Sequence, residues 1–392
     1  MSFNDMSPIE LGRRLRTARE SAGLKQAEAA EAIEVARTTL VAIEKGERRI
    51  KIDELQKLAH RYGLSANRLL RREAVHVDLV PRFRRLSESS DPDVLEAAKL
   101  LNELVAAEVE LEDLLGAGRE YNYPPQKPLR SGNVITQAEE DAEALRNAFG
   151  LGAGAIPDIF SFIELTLGIR LYQRHLPSKI SGLFTYDPSV GAAILLNASH
   201  PIERRRQSAA HEVGHFVATR DAPEVLDDDE PYTSREERYA NAFGRALLTP
   251  RKAVEGKFRE LTAGEDRLSR RIVILLADAF GISREAMVRR LEELGLVLSG
   301  TWDWFQSNGG FKLADVERVL GRKTLGVDQG KEEAAKPFSP KIGLMAYRVW
   351  KRELMTEGQL SDLLKVDRVT LREHLYELQD EESEADELPK LP

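Results

Sequence analysis

The chain has 392 residues, of which 42% are hydrophobic and 31% charged, a composition typical of a globular protein with two to four domains. It contains no cysteine, which excludes disulfides, thiolate zinc sites and cysteine catalysis and fits a reducing compartment. Its most apolar run, Ile272 to Phe280, contains Asp278 and is too short to span a bilayer, and its first residues show no signal pattern. We therefore expect a cytoplasmic protein with no membrane partner.

Charge is distributed unevenly along the chain. The first 85 residues hold 18 Lys and Arg against 12 Asp and Glu, a surplus of six. The whole chain has a net charge of −8, so the remainder carries −14. A basic head on an acidic body indicates that only the first 85 residues meet nucleic acid.

Residues 8–72 predict five short helices joined by tight turns. The second runs from Leu24 to Ile33 and the third from Arg37 to about Glu44, which is helix-turn-helix spacing with Val35 filling the turn. Such a pair of helices is a common way to place side chains in the major groove of DNA.

Residues 9–70 resemble the phage-repressor (XRE-type) DNA-binding domain. The resemblance lies in Leu24-Lys25-Gln26, Val35-Ala36-Arg37-Thr38-Thr39-Leu40 and Ile43-Glu44-Lys45-Gly46. It implies a lambda-repressor-like domain at residues 1–72 that binds a double-stranded DNA operator as a homodimer. The residues implied to face DNA are Gln26, Arg37, Thr38 and Thr39, with phosphate contacts from Lys45, Arg48 and Arg49. Arg19 and Glu44 match a structural salt bridge of the family.

Residues 73–130 predict a connector between this domain and the next. Pro92 to Leu115 reads as a leucine-rich amphipathic helix, whose apolar stripe is either a dimer seam or packs on its own chain. Gly116 to Gly132 contains three prolines and reads as an exposed linker. Beyond it, three strand-like segments between Ile169 and Asn197 predict a small, mostly antiparallel sheet. An edge strand of this sheet would hold an extended peptide by main-chain hydrogen bonds.

The stretch from Ser208 to Phe216 carries the clearest chemistry in the chain. His211 and His215 are four residues apart, so on a helix they share one face and both imidazoles reach a single metal ion. Glu212, between them, is placed to hold and deprotonate a water molecule at that ion. Zinc suits this arrangement, because a site with three protein ligands leaves the fourth position open. The motif predicts a metal site with Glu212 as the catalytic base.

A third ligand is expected about one helix further on, where Ser234 to Phe243 reads as helical. Glu237 and Asn241 lie four apart on one face of this helix, so a carboxylate and an amide point to the same place. We predict that Glu237 is the third metal ligand, with Glu236 as the alternative. Asn241 is predicted to steady His211 or His215.

Residues 136–300 resemble the ImmA/IrrE metallopeptidase family. The resemblance lies in Ile194-Leu195-Leu196-Asn197, Pro201, Arg204-Arg205-Arg206, the His211 motif, Glu237-Arg238-Tyr239-Ala240-Asn241-Ala242-Phe243 and Leu247-Leu248-Thr249-Pro250. It implies a gluzincin-like zinc endopeptidase domain at residues 131–300, with one Zn²⁺ per chain and Mn²⁺ as the alternative ion. Members of the family cleave XRE-type repressors after DNA damage or when mobile elements are induced.

The C-terminal part is predicted to be a helical region at residues 301–379 and an acidic, disordered tail at 380–392. Residues 265–299 and 342–378 echo the helix-turn-helix pattern without its basic excess, so we interpret them as the same helix packing without DNA contact. Trp302, Trp304 and Phe305 are interpreted as packing residues, with a ligand cage as the alternative.

The sequence as a whole predicts a mainly α fold, α+β overall: a DNA-binding transcriptional regulator carrying a zinc metallo-endopeptidase domain. Its substrate is a repressor-type protein, another copy of the chain, or none. Oxyanion stabilisation is left open among Tyr232, Tyr239 and His175. The alternative function is an XRE transcription factor whose peptidase-like domain is a non-catalytic sensor, or an antitoxin-like regulator.

Overall fold

The computed structural model describes residues 7–62, 69, 92–220, 224–227, 234–322 and 338–384. The chain divides into two compact units. The first comprises Met1–Val77, Ala106–Ala117 and Gly343–Pro392, and the second comprises Asp78–Val105 and Gly118–Ile342. Helices predominate, which confirms the mainly α, α+β fold class. No helix within the described residues is long and apolar enough to cross a membrane.

The N-terminal region forms α1 Pro8–Ser21, α2 Gln26–Ala32, α3 Arg37–Glu44 and α4 Ile52–Arg61. Ser7 caps α1 by accepting a hydrogen bond from the Glu10 amide at 3.2 Å, and Pro8 suits the first helical turn because its missing N–H would have no partner there. These helices agree with the first four predicted. The fifth, Ala66 to Leu70, lies outside the described residues except for Leu69, which is helical and buried.

The turn between α2 and α3 is set by Glu34 and Val35. Glu34 adopts the left-handed backbone conformation, with φ of 57°, and reverses the chain direction. Val35 packs against the core of these helices, and its amide donates to the Ala30 carbonyl at 3.0 Å. The core beneath includes Leu15 and Leu40, both fully buried, so the turn fixes how α3 is presented.

Four strands form one sheet in the second unit: β1 Arg170–Arg174, β2 Ile180–Asp187, β3 Gly191–Asn197 and β4 Glu224–Asp227. Their order is β1-β3-β2-β4, with β1 and β3 parallel and the other neighbouring pairs antiparallel. The predicted small and mostly antiparallel sheet is therefore present. The sequence did not indicate β4, because four residues with an acid at each end carry no alternating apolar pattern.

Further helices are α5 Pro92–Leu115, α6 Val134–Ala148, α7 Ile159–Ser161 (followed by a π-helical turn, Phe162–Thr166), α8 Ile202–Ala218, α9 Arg235–Leu248, α10 Arg251–Leu261, α11 Arg270–Phe280, α12 Arg284–Glu293, α13 Thr301–Ser307 and α14 Leu313–Leu320. α8 packs on β2, β3 and α9, and α9 packs on α6. Their shared core contains Val213, Phe216 and Phe243, all fully buried. This apolar packing holds α8 and α9 side by side.

The leucine stripe of α5 is covered within the chain. Leu101, Leu104 and Leu111 are buried, with exposed fractions of 0%, 2% and 0%. Burial of these three leucines agrees with packing on its own chain, one of the two predicted roles.

The predicted linker, Gly116 to Gly132, is mostly exposed, as expected, and two hydrogen bonds dock it on its own chain. The Lys127 amide donates to the Val217 carbonyl in α8 at 2.8 Å. The guanidinium of Arg220, just after α8, donates to the Pro124 carbonyl at 2.7 Å. The prolines indicate an extended segment, and these hydrogen bonds hold that segment along the end of α8. Residues 73–91 of the predicted connector lie outside the described residues.

The C-terminal helices are α15 Pro340–Lys351, α16 Glu357–Leu364 and α17 Arg368–Glu384. Lys365 between α16 and α17 has φ of 54°, and Gly281 between α11 and α12 has φ of 61°, so both pairs repeat the left-handed turn seen at Glu34. The similarity of these segments to the helix-turn-helix in sequence is thus also a similarity in backbone geometry. Helix α17 continues through residue 384, so the first five residues of the predicted disordered tail are helical, and residues 385–392 lie outside the described part.

Candidate metal centre

The two histidines of α8 and a glutamate of α9 converge on one point. The Nε2 atoms of His211 and His215 are 2.9 Å apart. Glu237 places Oε2 3.5 Å from the His211 Nε2 and Oε1 3.2 Å from the His215 Nε2. Within the described residues, these three form a group that could hold a metal ion, with two members buried and one half-buried.

This convergence requires α8 and α9 to approach closely. A Cβ atom on Gly214 would lie 2.9 Å from the Ala240 Cα in α9. A Cβ atom on Gly244 would lie 2.9 Å from the His211 backbone nitrogen in α8. Neither distance is tolerated, so a glycine on each helix lets the two backbones approach.

Asn241 fixes the tautomer of His211. The Asn241 Nδ2 donates to the Glu237 carbonyl at 3.0 Å, so its Oδ1 is the atom that faces the His211 Nδ1 at 3.3 Å. An amide oxygen only accepts, so the proton of His211 sits on Nδ1 and its Nε2 presents a lone pair. The structure thus brings the predicted Asn241 to a histidine.

Thr219 does the same for His215, and no feature of the sequence was used to predict this role. The Thr219 hydroxyl donates to the His215 carbonyl at 3.2 Å, so its oxygen accepts from the His215 Nδ1 at 3.3 Å. The Nε2 of His215 therefore also presents a lone pair. The missed signal was the spacing: Thr219 lies one helical turn after His215, at the end of α8.

The electrostatics keep His211 neutral and Glu237 ionised. Burial, reinforced by the neighbouring His215, lowers the pKa of His211 to about 3. Glu237 stays ionised, because it is only half-buried and its pKa lies below its ordinary value despite the opposing effect of burial. Neutral imidazole and carboxylate are the protonation states that a metal ion needs.

The donor set fits zinc. Two imidazole nitrogens and a carboxylate oxygen are ligands that zinc accepts, and three protein ligands leave one position open. Ligand atoms bound tetrahedrally at about 2.0–2.1 Å lie roughly 3.3–3.4 Å apart. The separations of 2.9, 3.2 and 3.5 Å between the three donor atoms scatter around that value.

Glu212, the predicted base, is fully buried beside the sheet. Its Oε1 lies 2.8 Å from the place that a Cβ atom on Gly182 of β2 would occupy. Any side chain at position 182 would displace the carboxylate. Gly182 is thus a further residue on which the site depends, and a lone glycine in a strand was its only sequence signal.

The residues predicted as candidates for oxyanion stabilisation differ in their contacts. The Tyr239 hydroxyl is fully buried and donates to Asp141 Oδ2 at 3.0 Å, so it is committed elsewhere. The His175 Nδ1 faces the Ser199 hydroxyl at 3.0 Å. Tyr232 lies outside the described residues. Burial and the neighbouring Asp141 raise the pKa of Tyr239, which further weakens it as a proton donor.

The predicted DNA-contact residues begin with a chain of polar contacts. The Arg19 guanidinium donates to Glu44 Oε1 at 2.6 Å in a buried ion pair. The Gln26 amide donates to the Glu44 Oε2 at 3.0 Å, and its Oε1 accepts from the exposed Arg37 at 3.3 Å. Gln26 therefore links the buried pair to the first residue of α3.

The other predicted contacts are divided between exposed and engaged side chains. Thr38 and Lys45 are exposed and Thr39 is half-buried. Arg48 instead donates through both terminal nitrogens to Glu54, at 3.0 and 2.8 Å. The guanidinium fork predicted for a phosphate is thus held by a carboxylate.

The geometry groups two histidines and a glutamate that could hold a metal ion, on a chain that also carries a helix-turn-helix. Two family models match. One is the helix-turn-helix family at residues 15–69, and the other is the IrrE N-terminal-like domain of the peptidase M78 family at residues 165–292. The chain therefore joins an XRE-type helix-turn-helix to an IrrE/ImmA-like domain, as the sequence predicted.

Two solved structures match over most of the chain. The apo form of the competence regulator ComR from Streptococcus vestibularis is 11% identical, covering 96% of this chain and 99% of its own, with a TM-score of 0.16. The apo form of ComR from S. Thermophilus is 12% identical, covering 95% and 99%, also with a TM-score of 0.16. These scores are too low to support an inference. No curated protein matches the chain.

Proposed function

We propose that the chain is a DNA-binding transcriptional regulator whose second domain is a zinc-dependent endopeptidase. The observation that carries this proposal is the convergence of the His211 and His215 Nε2 lone pairs on the Glu237 carboxylate. A set of three donors with an open fourth position is typical of catalytic rather than structural zinc sites. The proposed substrate is a repressor-type protein, or another copy of this chain, cleaved in a response to stress or mobile elements.

Each residue at the centre has a separate role in this chemistry. His211, His215 and Glu237 would hold the zinc ion, which would supply Lewis acidity to the scissile carbonyl and to the attacking water. Glu212 accepts a proton from that water on its carboxylate and passes it to the leaving amine nitrogen. Asn241 and Thr219 orient the two imidazoles through their Nδ1 atoms.

The sheet offers a place for an extended substrate. Gly182, which lies against the Glu212 carboxylate, pairs with Leu226 of β4. β4 is the last strand of the sheet on that side, so its outer backbone groups are free of a strand partner within the described residues. A peptide added to that edge would extend the sheet by one strand through main-chain hydrogen bonds.

The test is proteolysis by the full chain with Glu212→Gln beside the wild type. Zinc-loaded protein is incubated with a purified XRE-type repressor and, separately, alone, and the products are read by intact mass. We expect cleavage by the wild type and a loss of at least about 100-fold in Glu212→Gln, with Glu236→Gln as the control that retains activity. Zinc content must be equal in all three proteins.

Absence of cleavage by the zinc-loaded wild type, or equal cleavage by Glu212→Gln, would reject the endopeptidase. The remaining functions would then be a transcription factor with a non-catalytic sensor domain, or an antitoxin-like regulator. The DNA-binding role would survive either result. For that role we propose a homodimer reading two operator half-sites, with α3 in the major groove and Arg37 near the bases.

A further inference from the structure

A cavity of about 580 Å³ opens in the second unit, away from the residues of the metal centre. It is lined by Arg284 and Glu285 from the start of α12, by Trp302 and Gln306 from α13, and by Phe311 after it. Its size lies within the range of about 300–1,000 Å³ that is usual for small-molecule sites. The chemistry of its wall indicates what kind of molecule it suits.

One wall is a rigid aromatic surface. The rings of Trp302 and Phe311 are stacked, with centroids 5.9 Å apart and planes 10° from parallel. Phe305, which is 2% exposed, supports Phe311 from the core at 5.1 Å. The Trp302 amide donates to Glu292 Oε1 at 2.8 Å, which fixes the start of α13. A flat ring can extend a stack that is held in this way.

The loop that closes the cavity is also fixed. Arg270 donates to the Gly310 carbonyl at 2.8 Å and to the Asn308 carbonyl. The same guanidinium lies 5.6 Å from the centroid of Phe305. The cavity is therefore bounded by groups with defined positions, and binding would require little ordering of its walls.

The other wall carries an uncompensated positive charge. Glu285 also lines the cavity, and its exposed carboxylate pairs with Arg289 at 3.0 Å rather than with Arg284. Arg284 is half-buried, and no hydrogen-bond acceptor among the described residues engages its guanidinium. A partly desolvated guanidinium without a partner favours an anion, because carboxylate and phosphate satisfy its N–H donors in pairs.

We propose that this cavity is an effector site for a small molecule that joins a planar ring to an anionic group, either a phosphate or a carboxylate. The ring stacks on the Trp302 and Phe311 surface and the anion binds Arg284. The Gln306 amide, which is exposed at the rim, hydrogen-bonds the ring edge or a hydroxyl group. The cavity volume accommodates a mononucleotide.

The site is also tied to the helix that carries Glu237. Arg290 of α12 donates through Nε and Nη2 to the Thr249 carbonyl at the end of α9, at 3.2 and 3.1 Å. Glu293 of α12 pairs with Arg245 of α9 at 3.3 Å. A ligand that orders α12 would thus stabilise α9 as well.

The experiment is calorimetric titration of the full-length protein with adenosine monophosphate and, separately, with benzoate. Adenosine without phosphate and inorganic phosphate without a ring are the matched partial ligands. We expect at least one of the two complete ligands to bind with a Kd below about 1 mM, and each partial ligand to bind at least about tenfold more weakly. Whichever complete ligand binds identifies phosphate or carboxylate as the anion.

Variants distinguish binding in this cavity from binding at another surface of the chain. Arg284→Gln should weaken the binding at least about tenfold, whereas Arg271→Gln, which removes an exposed cation of α11 that does not line the cavity, should leave it unchanged. Trp302→Phe should weaken it less than Arg284→Gln, because a ring remains. Glu212→Gln should bind as the wild type does, so the outcome is independent of the peptidase.

Four results would overturn the proposal. They are no binding of either complete ligand, adenosine binding as tightly as the monophosphate, inorganic phosphate binding as tightly as the monophosphate, or full binding by Arg284→Gln. If neither ligand binds, Arg284-dependent binding of short duplex DNA would show what occupies the surface instead. That result would assign the surface to nucleic acid. The turn between α11 and α12 has the same left-handed geometry as the turn of the helix-turn-helix.

Discussion

The helix-turn-helix region and the metal centre both bury ionisable groups, and they balance them differently. In the first, Arg19 and Glu44 meet at 2.6 Å as opposite charges. In the second, the Nε2 lone pairs of His211 and His215 lie 2.9 Å apart and both face the Glu237 carboxylate. The first cluster is complete within the chain, whereas the second gathers electron-rich atoms that repel one another without a cation.

This difference indicates that the folded protein is stabilised in two ways. The arginine–glutamate pair needs only the fold, and its cost appears when one partner is removed. We propose that the donor set binds a metal ion, so the stability of α8 and α9 should depend on metal concentration. Removing the metal and removing a buried charge should therefore affect different parts of the chain.

Metal removal should produce the largest effect. We expect about one zinc per chain in the wild type by mass spectrometry, and near-background zinc in His211→Ala and Glu237→Ala. His175→Ala, which changes an exposed histidine bonded to Ser199, should keep its zinc. Chelation of the wild type should raise hydrogen exchange in α8 and α9 but not in α2 and α3. Zinc retained by both ligand variants would mean that the ion is held elsewhere.

Removal of one buried charge should have the second-largest effect. Glu44→Ala leaves Arg19 buried without its partner, which costs about 3–5 kcal/mol of local stability. We expect faster hydrogen exchange in α1 to α3 and loss of operator binding, at unchanged zinc content. Glu47→Ala, at an exposed position on the same turn, is the control. A parallel loss of zinc in Glu44→Ala would show that the two regions do not behave independently.

Substitution of a residue that hydrogen-bonds a proposed metal ligand should have a smaller effect. Thr219→Val keeps the size of the side chain but removes the oxygen that accepts from the His215 Nδ1. We expect zinc affinity to fall about 10- to 100-fold, measured by competition with a chelator of known affinity. Thr219→Ser keeps the hydroxyl and should restore most of it. Equal affinity in the valine and serine variants would remove Thr219 from the centre.

Acid should produce the smallest effect, in the helix-turn-helix region. The Arg48 guanidinium holds the pKa of Glu54 below its ordinary value of 4.5, against the opposing effect of burial. The carboxylate therefore contributes stability above pH 4.5 that is lost as the pH falls through the lower folded value, at most about 1 kcal/mol. Thermal unfolding between pH 6 and about 3.5 should be less pH-dependent in Glu54→Gln. Identical pH profiles would show that the pair contributes nothing.

Helical spacing accounts for how much of the site the sequence predicted. The four-residue steps from His211 to His215 and from Glu237 to Asn241 each place two side chains on one helical face, and the structure keeps both. Bounds of α2 to α4 were predicted to within two residues for the same reason. Sequence periodicity describes one helix at a time, so it predicts most reliably which side chains share a face of the same helix.

Contacts between distant elements were not predictable in this way. Gly182 matters because a strand meets Glu212, and Arg48 pairs with Glu54 across a turn, so neither role is visible in local sequence. The same limit applies to the contacts of the linker. Prolines in Gly116 to Gly132 indicate an extended backbone but not the carbonyl of Val217 that binds it.

The docked segment from Gly116 to Gly132 has a consequence for autolysis. A bond is cut only when its backbone can enter a protease as an extended strand, and here the Lys127 amide and the Pro124 carbonyl are already engaged beside α8. A trypsin or elastase digest of the native chain should therefore spare this stretch despite its prolines and lack of regular secondary structure. Nicks at residues 118–132 would appear only under conditions that first loosen the end of the metal helix, which makes their appearance a reporter of that event.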